Sequence, residues 1–208
     1  MKEEIINQAK QGKTAEQCLN LSRELLHHLV LQELDRKGAF YSICFVGGTA
    51  LRVIYQLDRY SEDLDFSLSY EAKNFNFTAL TKAVQKSLDS FGLNCQLEKL
   101  KTEKNVQKVF FVFKDILHSV HRTFPSNQKL AIKMEVDINP PLGAKETASP
   151  ITSPRLYRVR HYDLPSLFAG KLCAILHRKY TKGRDLYDFL WYTGRNTSVN
   201  LAHLEKAI

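Results

Sequence analysis

One short acidic stretch, Asp63 to Leu68, constrains the fold more than any other part of the sequence. Apolar residues alternate there with Asp63, Asp65 and Ser67, and successive side chains of a β-strand point to opposite faces. The stretch is therefore predicted to be a half-buried strand with one acidic face. Carboxylates at positions i and i+2 of a strand stand side by side and offer the hard oxygen ligands that Mg²⁺ prefers. Asp63 and Asp65 are accordingly predicted to bind Mg²⁺ or Mn²⁺.

A glycine-rich turn precedes this strand. Gly47, Gly48 and Thr49 follow an apolar segment, 41–46, that is predicted to be a strand, and a helical pattern comes after them. Glycine lets the backbone approach a ligand closely, and the free amides at a helix N-terminus attract anions. The turn is therefore predicted to bind the phosphates of a nucleotide. It lacks the sequence patterns of a P-loop and of a dinucleotide-binding fold, which excludes those two classes.

The rest of the chain is predicted to alternate between helices and strands. Thr14 begins a capping box whose helix is predicted to end near Gly38. Further predicted elements are a helix at 77–90 and strands at 94–101, 106–113 and 130–139. Residues 140–154 are rich in Pro, Ser and Thr and are predicted to form a loop between a core, 1–150, and a C-terminal helical part, 151–208.

The C-terminal part is predicted to contain three helical segments. The first begins near Asp163 and breaks near 181–183, the second begins near Arg184, and the third covers 199–208. This last segment ends without a capping residue, which indicates that the natural chain extends further.

Charge and cysteine content narrow the function classes. Lys and Arg total 30 against 22 Asp and Glu, a net charge of +8, which favours a polyanionic partner such as nucleic acid. The four cysteines show no metal-binding spacing, so neither zinc nor a disulfide is expected. The sequence shows neither a signal peptide nor a membrane-spanning stretch, and a cytoplasmic protein without membrane contact is expected.

Two sequence blocks occur in the order found in one known family. The first runs from Gly48-Thr49-Ala50-Leu51 through Arg59 to Asp63-Leu64-Asp65-Phe66, and the second combines Lys171-Leu172-Cys173-Ala174 with Arg178 and the segment 184–188. Together they resemble the AbiEii toxin family and the related MenT toxins. The resemblance implies an α/β (α+β) fold, in which a polymerase-β-like nucleotidyltransferase core with a mixed sheet is followed by helices.

The resemblance also implies a third catalytic carboxylate on a later strand. Glu135 and Asp137 share the polar face of the strand predicted at 130–139, and both are candidates. The family pattern favours Glu135, since the acid often follows a lysine by two residues. One of the two acids is expected to bind the metal and the other to pair with Lys133.

Several further residues are assigned to the nucleotide by the same resemblance. Lys171 is expected to bind the triphosphate, and Ser61 belongs to the first block. Arg178 and Arg184 either add positive charge against the phosphates or pair with Asp185 and its neighbour Asp188. Asp185 is counted with the nucleotide site, although an acid at a helix N-terminus is also stabilised by the helix dipole alone.

The reaction expected from these residues is transfer of a nucleoside monophosphate from an NTP to an acceptor hydroxyl. The family implies a toxin of a type IV toxin-antitoxin system, with RNA or tRNA as acceptor and an antitoxin protein as partner. Two alternatives remain at this point. One is a nucleotidyltransferase acting on a small molecule such as an aminoglycoside, which the positive charge disfavours, and the other is a catalytically inactive RNA-binding protein of the same fold.

Overall fold

The computed structural model describes residues 1–102, 104–180 and 182–208. Within these ranges the chain forms eight α-helices and one seven-stranded sheet. The strands are β1 (Ile43–Val46), β2 (Leu64–Leu68), β3 (Cys95–Lys101), β4 (Val106–Phe113), β5 (Leu130–Asp137), β6 (Glu146–Ile151) and β7 (Tyr157–Tyr162). The helices are α1 (Lys2–Ala9), α2 (Ala15–Arg36), α3 (Gly47–Tyr55), α4 (Phe77–Ser90), α5 (Leu117–Val120), α6 (Leu164–His177), α7 (Gly183–Gly194) and α8 (Leu201–Ala207).

The sheet is mixed, with strand order β3-β4-β5-β2-β1-β7-β6. Parallel pairing occurs between β1 and β7 and between β2 and β5, and the other neighbours are antiparallel. The acidic strand β2 therefore lies at the centre of the sheet, between β1 and β5. This arrangement confirms the predicted α/β fold with a mixed sheet.

The helices begin where side chains satisfy their first amides. The Thr14 hydroxyl accepts a hydrogen bond from the Gln17 amide at 3.2 Å, and the Asp163 carboxylate accepts one from the Ser166 amide at 3.0 Å. An N-cap of this kind stabilises a helix by roughly 1 kcal/mol. The predicted starts of α2 and α6 are thus confirmed.

The two faces of the sheet differ in composition. One face carries Leu64, Phe66 and the apolar residues of β4 and β5, and it packs against α2 and α4 in the main core, with α1 packed on α2. The other face carries the charged residues of β2 and β5 at its centre. Over β1 and β7 this second face is covered by α6 and α7 through a smaller apolar cluster that includes Tyr162, Phe168 and Tyr192.

Two strands were not predicted. Residues 146–151, expected in a loop, form β6, which pairs with β7 at the edge of the sheet. The loop prediction is wrong there because β6 contains Pro, Ser and Thr and only one of its six residues is buried, as an edge strand tolerates. β7 adds a strand to the part expected to be helical, so the β6–β7 hairpin lies across the division predicted at residue 150. That division stays a prediction.

Two smaller features concern the cysteines and the lengths of the described helices. The four cysteines are free, and Cys18, Cys44 and Cys95 are buried. None of the described helices is long and apolar enough to cross a bilayer. The helix break expected at 181–183 falls partly on residue 181, which lies outside the described residues.

Candidate active site

The charged centre of the sheet is a row of carboxylates on β2 and the neighbouring β5. In the parallel register Asp65 lies beside Glu135, and Ser67 lies beside Asp137. Partner positions in adjacent strands share a face, so Glu135 stands next to the acidic pair. Asp137 stands one step further along, where its carboxylate accepts a hydrogen bond from the Asn139 amide at 2.9 Å. The structure therefore brings Glu135 closer than Asp137 to Asp65.

A lysine ammonium lies between two of these carboxylates. Lys133 Nζ is 3.0 Å from Asp63 Oδ2 and 3.1 Å from Glu135 Oε2. Of the two candidate acids, Lys133 therefore pairs with Glu135, the acid beside Asp65, and which of the two is the metal ligand stays a prediction. The ammonium group of Lys133 thus lies between the carboxylates of Asp63 and Glu135.

The acidic cluster carries uncompensated negative charge. Burial raises the pKa of Asp65 to about 6, and the charges of Asp63 and Glu135 act in the same direction. Lys133 and Arg184 oppose this shift without cancelling it. A carboxyl group whose ionised form is disfavoured in this way is stabilised as a carboxylate by an additional nearby cation.

The glycine turn packs directly against the acidic strand. Gly47 has φ +78°, and a Cβ there would lie 2.7 Å from Asp65 Oδ2. A Cβ on Gly48 would lie 2.7 Å from the Arg59 guanidinium and 3.2 Å from the Ser61 hydroxyl. The positive φ and the contact with Asp65 require glycine at position 47, and the N-terminus of α3 consequently opens beside Asp65.

Two side chains hold the backbone on either side of Asp63. The Thr49 hydroxyl donates a hydrogen bond to the Asp63 carbonyl, and His27 Nε2 lies 3.0 Å from the Glu62 carbonyl. Burial lowers the pKa of His27 to about 3, so the ring is neutral at physiological pH and donates through Nε2. The Thr49 hydroxyl therefore positions the backbone of Asp63, and the place of Thr49 in the phosphate-binding turn stays a prediction.

A buried ion-pair network lies under the C-terminal helices. The fully buried Asp188 accepts two 2.6 Å hydrogen bonds from Arg59, and its Oδ2 is 2.8 Å from Lys171 Nζ. Asp185, also fully buried, pairs with Lys171 at 3.0 Å and with Arg178. Burial acts to raise the pKa of Asp185, but the hydrogen bonds from Lys171 and Arg178 outweigh it and hold that pKa below its ordinary value.

This network forms one wall of a cavity that reaches the acidic pair. The cavity holds about 280 Å³, near the lower end of the roughly 300–1,000 Å³ of small-molecule sites. Of the predicted site residues, its lining includes Gly47, Gly48, Ser61, Asp63, Asp65, Lys171, Arg178, Arg184 and Asp185. Glu135 is not among the lining residues and faces a separate groove. Its lining also includes the apolar side chains of Leu167 and Ala174 and the ring of Tyr162.

The donor set fits a divalent cation that is shared with a substrate. Within the described residues no three acidic, histidine or cysteine side chains are already arranged around one point. Mg²⁺ seldom needs such a cage, because it binds through one or two carboxylates together with substrate phosphates and water. Asp63 and Asp65 provide those carboxylates, and the Lys133 ammonium beside Asp63 marks a position that favours positive charge.

Sequence reasoning missed the partners that fix these groups. Lys171 was expected to face phosphate, but it is held by Asp185 and Asp188. The Arg59–Asp188 pair joins residues 129 positions apart, and nothing in local periodicity indicates it. In the sequence, this pair is indicated only by the presence of Arg59 in the first block and of Asp188 in the second block.

Comparisons with known proteins agree with the fold and with the two blocks. A family model described as "Nucleotidyl transferase AbiEii toxin, Type IV TA system" matches residues 29–208. The solved structure of JHP933 from Helicobacter pylori is similar, with 22% identity, a TM-score of 0.56 and coverage of 84% of this chain and 66% of that one. MenT4, a nucleotidyltransferase toxin from Mycobacterium tuberculosis H37Rv, shows 16% identity, a TM-score of 0.62 and coverage of 95% and 65%.

The chain thus spans about two thirds of the length of these solved structures. No curated protein matches its sequence.

Proposed function

Because the chain belongs to the AbiEii family of nucleotidyl transferase toxins, we propose that it transfers a nucleoside monophosphate from an NTP to a hydroxyl group of RNA. One observation carries the proposal. Asp63 and Asp65 meet the glycine turn and the N-terminus of α3 at one end of a cavity whose wall contains Lys171, Arg178 and Arg184. Carboxylates for a metal, amides for phosphate and a basic wall are the parts that phosphoryl transfer requires.

The proposed metal is Mg²⁺ or Mn²⁺, held by Asp63 and Asp65 with Glu135 as the third acid. When bound, the metal would neutralise charge on the triphosphate and lower the pKa of the attacking hydroxyl. Glu135 lies beside Asp65 in the sheet, which supports it over Asp137 for the acceptor side. Lys133 holds the carboxylates of Asp63 and Glu135 in place before the metal enters.

The triphosphate is proposed to lie between the glycine turn and the C-terminal helices. The Gly48 amide at the start of α3 donates to a phosphate oxygen, and the positive end of the helix adds a favourable field. Lys171, Arg178 and Arg184 supply positive charge from the opposite wall. Asp185 and Asp188 orient Lys171 through their ion pairs with its ammonium, which limits its motion during the reaction.

The net charge of +8 supports RNA as the acceptor, since lysine and arginine displace counterions from phosphates. A small cationic acceptor would instead require an acidic surface. The family also supports an antitoxin protein as partner of this chain.

A labelling experiment tests the proposed reaction. The purified protein is incubated with Mg²⁺, total RNA and each of the four NTPs labelled at the α-phosphate. We expect label in RNA with at least one NTP and none with Asp65→Asn, whose fold is checked by circular dichroism. NTPs labelled at the γ-phosphate should leave RNA unlabelled, because pyrophosphate departs. Equal labelling by parent and Asp65→Asn would refute the proposed reaction.

A further inference from the structure

A second groove lies on the other side of the acidic row from the cavity. It is bordered by the β3–β4 hairpin and includes Lys101, Lys104, Lys108, Val106 and Glu135. In the part of the chain that the structure describes, the helices packed against β3, β4 and β5 are α2 and α4, on the apolar face. Around Lys101, Lys108 and Glu135 the polar face of these strands is open, since these side chains are exposed or half-buried.

The lysines of this groove are aligned with the acidic site. Pairing across the sheet places Lys101 opposite Lys108, Lys108 opposite Glu135, and Glu135 beside Asp65. Adjacent strands lie about 4.8 Å apart, so this row leads from Lys101 to Asp65 over roughly 14 Å. A lysine side chain extends several ångströms from its strand. Lys101 and Lys108 can therefore contact the phosphates of a ligand that lies along this row and leads to Asp65.

The two lysines also oppose each other. Like charges directly opposite on paired strands destabilise a hairpin, and Lys101 and Lys108 occupy such positions. The repulsion is relieved when an anion lies between them.

The groove also contains exposed apolar side chains. Leu100 is 38% exposed and Val106 is 42% exposed. Positive charge beside apolar surface suits a single strand of nucleic acid, whose phosphates and bases need both.

We propose that this groove binds the acceptor RNA strand, with Lys101 and Lys108 contacting its phosphates, while the NTP occupies the cavity under α6–α8. The inference rests on the proposed function, and it adds where the acceptor binds and which residues hold it. The two substrates then approach the acidic row from opposite sides and meet at Asp65 and Glu135. Neither substrate needs to leave before the other binds.

The test compares two double variants with the same change in net charge. Lys101→Gln/Lys108→Gln removes the groove lysines, and Lys82→Gln/Lys86→Gln removes two exposed lysines of α4, which packs on the opposite face. Binding of a single-stranded RNA is measured by fluorescence anisotropy over a range of salt concentrations. KM values are measured separately for RNA and for the NTP.

We expect the groove variant to bind RNA roughly five- to tenfold more weakly than the parent, with a salt slope smaller by about 1.4, or 0.7 for each lost phosphate contact. Its KM for RNA should rise while its KM for the NTP stays unchanged. The α4 variant should resemble the parent. Equal RNA binding by the two variants would overturn the inference.

The outcomes separate this inference from the proposed function. If the parent labels RNA and the groove variant labels it with an unchanged KM, the function stands and the groove assignment is wrong. If the groove variant alone loses RNA binding but the parent transfers no nucleotide, the groove assignment stands and the proposed reaction is wrong. Thermal melts of both variants verify that the lysine substitutions leave the fold intact.

Discussion

The two halves of the polar face of the sheet differ in what surrounds their charges. Over β1 and β7 the face is covered by α6 and α7, and the fully buried acids Asp185 and Asp188 are paired with Lys171, Arg59 and Arg178. Over β3, β4 and β5 the face is open. Charges in the covered half depend on fixed partners, whereas those in the open half are partly solvated and can exchange a side-chain partner for a ligand.

Removal of one acid from each half should give the largest contrast. Asp188→Ala leaves Arg59 and Lys171 without their shared carboxylate, and breaking a buried pair costs about 3–5 kcal/mol of unfolding free energy. Glu98→Ala removes the partner of Lys129 in the open half, where the two side chains are 39% and 48% exposed. That change should cost less than about 1 kcal/mol. Urea unfolding measures both, and similar losses would contradict the contrast.

The second contrast lies within the open half, between neighbouring acids of β5. Glu135→Gln should lower kcat for nucleotide transfer roughly 10²- to 10³-fold, the usual effect of losing one electrostatic contact to the reacting centre. Asp137→Asn should change kcat only a few-fold, because Asp137 lies beside Ser67 rather than Asp65 and accepts a hydrogen bond from the Asn139 amide. Steady-state kinetics with saturating NTP distinguishes them. Equally mild effects of the two substitutions would mean that neither acid is the third ligand.

A smaller effect is expected in the pH dependence of stability without divalent cations. The pKa of Asp65 is raised from 3.8 to about 6 in the folded state, so the folded protein holds a proton that the unfolded chain releases. The contribution of Asp65 to stability should therefore be greatest below pH 4 and fall as the pH rises towards 6. Asp65→Asn should remove this dependence and stabilise the protein by about 1–2 kcal/mol at pH 7. Urea unfolding at several pH values tests this.

The stability of the parent and of Asp65→Asn should also respond differently to added Mg²⁺. Added Mg²⁺ should stabilise the parent at pH 7, because a ligand that binds the folded state alone shifts the unfolding equilibrium. It should leave Asp65→Asn almost unchanged. An Asp65→Asn protein that is less stable than the parent without metal would mean that Asp65 has a structural role.

Local sequence patterns predicted the elements that depend on local contacts. α4 and β4 have the predicted bounds, 77–90 and 106–113, because a capping residue, Asn76, begins the helix and apolar spacing defines both elements. β6 was missed because its stability comes from pairing with β7 and not from its own composition. An edge strand with polar residues resembles a loop in the sequence.

The same distinction applies to the site. Asp63 and Asp65 were found because the strand period of two is local. The hydrogen bond from Thr49 to the Asp63 carbonyl and the position of Lys133 between Asp63 and Glu135 depend on the register of β2 against β5 and on side-chain rotamers. Those features become visible only when distant segments are brought together.

The proposed function requires that Asp63 and Asp65 hold a divalent cation for nucleotide transfer. This requirement is tested by calorimetric titration with Mn²⁺ in the presence of a nonhydrolysable NTP analogue, with Asp137→Asn as the matched control. The parent and Asp137→Asn should bind Mn²⁺ with similar affinity, and Asp65→Asn should bind it at least about a hundredfold more weakly, because one charged oxygen ligand is lost. Unchanged Mn²⁺ affinity in a folded Asp65→Asn protein would contradict the claim.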